Sequence, residues 1–108
     1  MNKLYFSPEA LNDSDEIWTY IARELQDSEA AQSTLDKILD QAENLKSFAL
    51  IGPRLSSITV FDSEYRFLVS GNYIIFYRVR EDSVFVDRIL SAKRDYLRIL
   101  FGKTEDIE

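Results

Sequence analysis

The stretch that decides the fold runs from Tyr65 to Phe101 and reads YRFLVSGNYIIFYRVREDSVFVDRILSAKRDYLRILF. Apolar side chains alternate over Tyr65–Val69, Ser70-Gly71-Asn72 interrupts them, and the alternation resumes over Tyr73–Arg80. Glu81-Asp82-Ser83 marks a second turn before the run Val84–Leu90. Short runs rich in β-branched and aromatic residues, punctuated by Gly, Asn, Asp and Ser, are hairpin-linked strands. A short helix over Lys93–Phe101 follows, with Tyr96, Leu97, Leu100 and Phe101 inward. Strand side chains alternate between two faces. Ile74, Phe76, Arg78 and Arg80 therefore share one face and Tyr73, Ile75, Tyr77 and Val79 the other. The second set reads as core beneath helices, the first as a basic face.

Upstream, Lys3–Phe6 is a short apolar alternation and reads as a first strand. Ser7 can accept orphan helix N–H groups, and Pro8 suits the first helical position. Leu11, Ile17, Trp18, Ile21 and Leu25 then recur at helical spacing, with Asn12–Glu16 and Arg23 on the solvated side. Trp18 and Tyr20 are expected in the core with Phe76 and Tyr77. Gln26-Asp27-Ser28 offers a fresh cap, and a second helix runs to about Ser47 on the stripe Ala31, Leu35, Ile38, Leu39, Ala42 and Leu45. So short a connection predicts an antiparallel helical hairpin. Phe48–Ser57 carries Gly52-Pro53 and reads as a loop, with Ile58–Phe61 a short strand or extended lead-in. The expectation is a single α+β domain over residues 1–108: a small antiparallel sheet with an N-terminal strand, a two-helix hairpin packed on it and a short C-terminal helix.

Composition narrows the chemistry. The chain has no cysteine and no histidine. Disulfides, thiolate metal sites and every Ser-His or Cys-His nucleophile pair are thereby excluded. Catalysis would fall to carboxylates, Lys, Arg, Tyr or hydroxyls; no metal and no cofactor is expected. No apolar run approaches the ~20 residues of a membrane span, and the opening MNKLYFSPEAL has no secretory core, so a cytoplasmic location is expected. The net charge of −6 is segregated. Residues 1–50 hold four basic and ten acidic side chains, residues 51–104 nine basic and six acidic, and residues 105–108 three acidic. An acidic whole argues against nonspecific nucleic-acid binding, while a basic second half leaves room for one anionic contact or an acidic protein partner.

The SPEAL opening, IWTYI in the first helix, the GPRL loop, YRFLVSGNYIIFYRV and VDRILSAKRDYLRILF occur in an order that resembles the RelE/ParE superfamily of bacterial type II toxins. The resemblance covers nearly the whole chain. It implies a toxin neutralised by a cognate RelB- or ParD-like antitoxin, with a toxin–antitoxin hetero-oligomer as the assembly. RelE-like members enter the ribosome and cut mRNA, whereas ParE-like members inhibit DNA gyrase and show no nuclease activity. Nucleases resembling RelE place an arginine where this chain has Ile74, and others place a histidine where it has Ser91. The lysine pair common on the preceding strand is represented by Arg66, with Leu68 in the second position. ParE-like members share the missing arginine, although many keep the histidine that Ser91 replaces. The reading is ParE-like, with a RelE-like ribosome-dependent endonuclease as the alternative and a non-toxic interaction module as the second alternative.

RNA cleavage needs a base for the ribose 2′-hydroxyl, cations for the phosphorane and an acid for the leaving oxygen. If the chain is a nuclease, Arg66, Arg88 and Tyr96 are its catalytic candidates, with Glu64 and Asp87 as further acid/base groups. Arg78, Lys93, Arg94 and Arg98 are the candidate binding residues, Arg94 and Arg98 facing acidic antitoxin side chains across a groove beside the hairpin and last helix. The structural roles open to the same residues are ordinary. Arg66 and Arg88 can cover a sheet edge, Arg78 and Arg80 can pair across strands near Glu81-Asp82, and Tyr96 can pack.

Overall fold

The sheet has four strands in the order β1-β4-β3-β2, formed by Lys3–Phe6, Ser83–Ser91, Tyr73–Arg80 and Arg66–Ser70 respectively. The computed structural model describes residues 1–102. β2, β3 and β4 form the expected antiparallel meander, Arg66 opposite Tyr77 and Phe76 opposite Arg88. β1 lies parallel to β4, Lys3 beside Ser83 through Phe6 beside Val86, so the sheet is mixed. Parallel neighbours need a long crossover between them, which the helical hairpin and the meander's first two strands supply.

The hairpin comprises α1 (Pro8–Thr19), a π-turn (Tyr20–Glu24) and α2 (Ser28–Glu43), which tightens into a 3₁₀ turn at Asn44–Lys46. Its starts obey local chemistry. The Ser7 hydroxyl accepts from the Ala10 N–H at 2.9 Å with Pro8 in the first turn, and the Asp27 carboxylate accepts from the Ala30 N–H at 2.9 Å. Ala10, Ile17, Ile21, Ala31, Leu35 and Ile38 turn inward against Ile75, Tyr77, Val84, Val86 and Ile89. Burial of this apolar surface is the main stabilising term of the fold.

The other sheet face is half covered. Leu55, Ile74, Phe76 and Leu90 are buried there beneath Ile99, Leu100 and Phe101 of α3 (Tyr96–Phe101). The central strand β3 is thus buried on both sides over Ile74–Tyr77, which explains why IIFY is continuous rather than alternating. The expected basic face shrinks to the Arg78–Arg80 end.

Two expectations are corrected. Trp18 is 39% exposed and Tyr20 55% exposed, so neither is core, whereas Phe76 and Tyr77 are fully buried. The α1 stripe runs Ala10, Asp13, Ile17, Ile21, and Trp18 lies about 100° around the helix from Ile17. The last helix begins at Tyr96 rather than Lys93. Asp95 is its N-cap, accepting from the Arg98 N–H at 3.3 Å, and Lys93 and Arg94 lie in the preceding turn, where the Ser91 hydroxyl accepts from the Lys93 N–H at 3.2 Å.

Candidate functional site

Where β1 stops at Phe6, β4 runs on to Ser91, and its outer edge would be left with unpaired backbone groups. The chain turning into α1 satisfies them. Ser7 donates its N–H to the Val86 carbonyl at 2.9 Å and its hydroxyl to the Asp87 carbonyl at 2.7 Å. One turn into the helix, Asp13 accepts the Ile89 N–H at 2.9 Å. Its carboxylate also takes both prongs of Arg88, Nε and Nη2 each at 2.8 Å. Asp13 is only 3% exposed. The hydrogen bond to this carboxylate is the main cause holding the Arg88 guanidinium above its ordinary value, against the opposing effect of burial. Asp13 lay in the stretch expected as a solvated helix face, and only its position one turn before Ile17 on the apolar stripe signals otherwise.

A bulge at Phe76/Tyr77 inserts Asp87 into β4 and turns its carboxylate to Arg78, which donates from Nε at 2.6 Å and from Nη2 at 3.2 Å. Arg78 also stacks over the Phe85 ring, 5.2 Å from its centroid. Arg80 binds Glu64 at 2.9 Å. The arginines at the end of β3 therefore pair with Asp87 and Glu64, not with the Glu81-Asp82 turn. The hydrogen bond that Arg78 donates to Asp87 raises the Arg78 guanidinium, and burial, then Asp87, raises the Tyr65 hydroxyl.

On β2, Arg66 donates from Nη1 to the Gly52 carbonyl at 2.8 Å, while the Gly52 N–H donates to the buried Tyr77 hydroxyl at 2.9 Å. The GPRL loop is pinned at one glycine by two strands. A Cβ at Gly52 would stand 2.6 Å from the Tyr77 oxygen and closer still to the Phe67 carbonyl.

These placements separate the nuclease candidates. Cross-strand partners share a face. Arg66 opposes Tyr77 and lies on the hairpin side, while Arg88 opposes Phe76 on the α3 side. Tyr96 packs on the Phe76 ring at 5.4 Å between centroids. Glu64 and Asp87 are held by Arg80 and Arg78. Arg88 and Asp87 line a small cleft with Tyr65 and Glu9, but Arg66 lies across the sheet from it and Tyr96 is not in its lining, so the candidates as a set do not converge on a common point. Among the described residues no group of three Asp or Glu side chains is placed to hold a metal.

What does converge is a groove of about 640 Å³ between the hairpin and the far ends of β3 and β4. Ile17 and Ile21 line one wall with Tyr20 and Leu25, and Tyr73 and Ser91 line the other with Lys93 and Arg94. Burial, then the neighbouring Tyr20, raises the Tyr73 hydroxyl above the usual phenol value. Among the described residues neither Lys93 nor Arg94 has a carboxylate partner. Arg98 lies outside the groove, 3.7 Å from Asp95.

No curated protein matches the chain. A family model, the ParE toxin of the type II toxin-antitoxin system parDE, matches residues 4–96. Among solved structures, the chromosomal ParDE toxin-antitoxin system from P. aeruginosa contains a chain that superposes with a TM-score of 0.71 at 22% identity, covering 84% of this chain and 96% of that one. A chain of the RelB–RelE antitoxin–toxin complex from Methanococcus jannaschii superposes with a TM-score of 0.52 at 18% identity, covering 90% of this chain and 98% of that one. At these identities the two structures report the fold, and the family rests on the match from β1 to the first residue of α3: the chain belongs to the ParE toxins of type II toxin-antitoxin systems.

Proposed function

We propose that this ParE-family toxin arrests growth by binding and inhibiting DNA gyrase, that it cuts no RNA, and that a cognate antitoxin neutralises it. One observation carries the choice of mechanism: Arg66 and Arg88 lie on opposite sheet faces, and Arg88 is locked on buried Asp13. A phosphorane needs its cations gathered around one phosphate. Two further features agree. Ile74, standing where RelE-like nucleases carry an arginine, is buried under α3, and the chain's net charge of −6 opposes entry into ribosomal RNA. The antitoxin is supported by the structural neighbours, both of which come from toxin–antitoxin systems. Lys93 and Arg94, which line the groove and have no carboxylate partner among the described residues, favour an acidic partner there.

Supercoiling by purified gyrase decides the mechanism. Added toxin should lower supercoiling, and induced expression should produce filamentation with an SOS response. Ribosome-dependent mRNA cleavage with gyrase unaffected would overturn the proposal in favour of the RelE-like alternative. No growth effect at verified soluble expression would leave a non-toxic interaction module.

A further inference from the structure

We propose that the loop Ser47–Pro53 is the surface by which this toxin grips gyrase, with Phe48, Leu50 and Ile51 entering an apolar pocket of that enzyme beside the DNA it holds. The inference rests on the gyrase reading above and assigns it a surface.

Phe48, Leu50 and Ile51 are 61%, 64% and 59% exposed. Among the described residues no other run of four carries three large apolar side chains in solvent. Packing does not account for them, and clustered exposed apolar side chains mark interaction sites. Nor is the loop loose. The Phe48 N–H donates to the Asn44 carbonyl at 2.9 Å and the Ile51 N–H to the Phe48 carbonyl at 3.2 Å. Ala49, between the exposed residues, packs on the hairpin-side core. Gly52 is held at both its polar groups, by the Tyr77 hydroxyl and by Arg66. The fold thus fixes three apolar side chains in water before any partner arrives. Little conformational freedom is then lost on binding, which is the advantage of a preorganised anchor.

Charge chooses the partner. Ser47–Pro53 holds no ionisable side chain. Cations border it, Lys46 and Arg54 at its two ends and Arg66 on its Gly52 carbonyl. Glu43, paired with Lys46 at 2.9 Å, is the nearest carboxylate along the chain. A protein of net charge −6 is repelled by DNA as a whole, and it approaches a DNA-holding enzyme best through a neutral patch with a cationic rim. A second copy fits less well, because two such loops meeting about a two-fold axis bring like cations together. None of the loop's residues lines the groove between hairpin and sheet, so this surface is separate from the one beside Lys93 and Arg94.

Supercoiling by purified gyrase over a range of toxin concentrations is the test. Phe48→Ser with Leu50→Ser should raise the half-inhibitory concentration about tenfold or more, the size typical of interface anchors. Leu11→Ser with Leu39→Ser, at exposed apolar positions on the two helices, should leave it unchanged. Arg54→Glu should weaken binding to DNA-loaded gyrase more than to gyrase alone, and added salt should shrink that difference. Circular dichroism and thermal melting report the fold of each variant, and the exposure of the substituted side chains keeps them out of the core. Undiminished inhibition by the folded Phe48/Leu50 variant would overturn the inference and leave the gyrase reading standing. An equal loss in the Leu11/Leu39 variant would also overturn it, and an equal effect of Arg54→Glu on both forms of gyrase would overturn the placement beside DNA. A dimer seen in sedimentation and lost in the Phe48/Leu50 variant would assign the loop to a second copy instead. No inhibition by the unsubstituted chain would overturn the gyrase reading itself, and the inference with it.

Discussion

Asp13 and Arg88, 75 residues apart, close a two-pronged ion pair at 2.8 Å that ties the first helix to the edge of the last strand. The same carboxylate completes the backbone of β4 at Ile89, so one side chain replaces a missing ladder partner and neutralises a guanidinium. The Arg88 guanidinium is thereby held against the first helix.

Removing one partner of a buried pair leaves an uncompensated charge, so Asp13→Ala should destabilise the protein by about 3 kcal/mol. Asp13→Asn should cost less, because an amide oxygen can still accept the Ile89 N–H. Urea unfolding measures both. Toxicity of Arg88→Ala should track its folded fraction; lost toxicity at unchanged stability would show a direct role for the guanidinium.

Gly52→Ala forces a methyl group against the Tyr77 oxygen and the Phe67 carbonyl. Overpacking of this kind costs about 1–3 kcal/mol. Tyr77→Phe removes the acceptor of the buried Gly52 N–H, a loss of about 1–3 kcal/mol. The two substitutions act on one contact, so the double variant should lose less than the sum of the singles. Full additivity would mean that the loop is anchored elsewhere.

Burial raises the Tyr77 phenol above its ordinary value of 10.0, with the Gly52 hydrogen bond and Arg66 acting in the opposite direction. A raised phenol favours the neutral form in the fold. Its contribution is complete below the unfolded value and is lost as pH rises through the higher folded one. Tyr77 should therefore add no slope to the denaturation midpoint below pH 10.0 and a fall above it, so the alkaline fall should be shallower in Tyr77→Phe. An identical alkaline limb in the two proteins would refute the assignment to Tyr77, leaving Tyr65 and Tyr73, whose hydroxyls burial also raises.

Restoring the nuclease-type arginine as Ile74→Arg should not create a nuclease. Ile74 is buried with Phe76 and Leu90 beneath α3, and a charge there carries several kcal/mol of desolvation. A lower melting temperature with no ribosome-dependent cleavage is expected. Cleavage by a stable variant would show that the scaffold retains the remaining machinery.

The sequence by itself determined whatever depends on near neighbours. The Ser7-Pro8 and Asp27 helix starts, the two turns of the meander and the division of β3 into Ile75/Tyr77 and Ile74/Phe76 faces all follow from local propensity and from the twofold period of strands. The ordered segments also carried the toxin family. Only the tertiary structure decided the rest. Trp18 and Ile17 are adjacent on one helix, and which of them faces the sheet depends on how that helix crosses it. The parallel pairing of β1 with β4 joins residues about 80 apart, and nothing in LYF names its partner. Asp13 looked like one more solvated carboxylate in an acidic run, because its partners at Arg88 and Ile89 exist only once the chain has closed. The fate of each arginine was settled in the same way. A cation is free or spent according to what folding brings within about 4 Å of it, and among the described residues folding left Lys93 and Arg94 without a carboxylate.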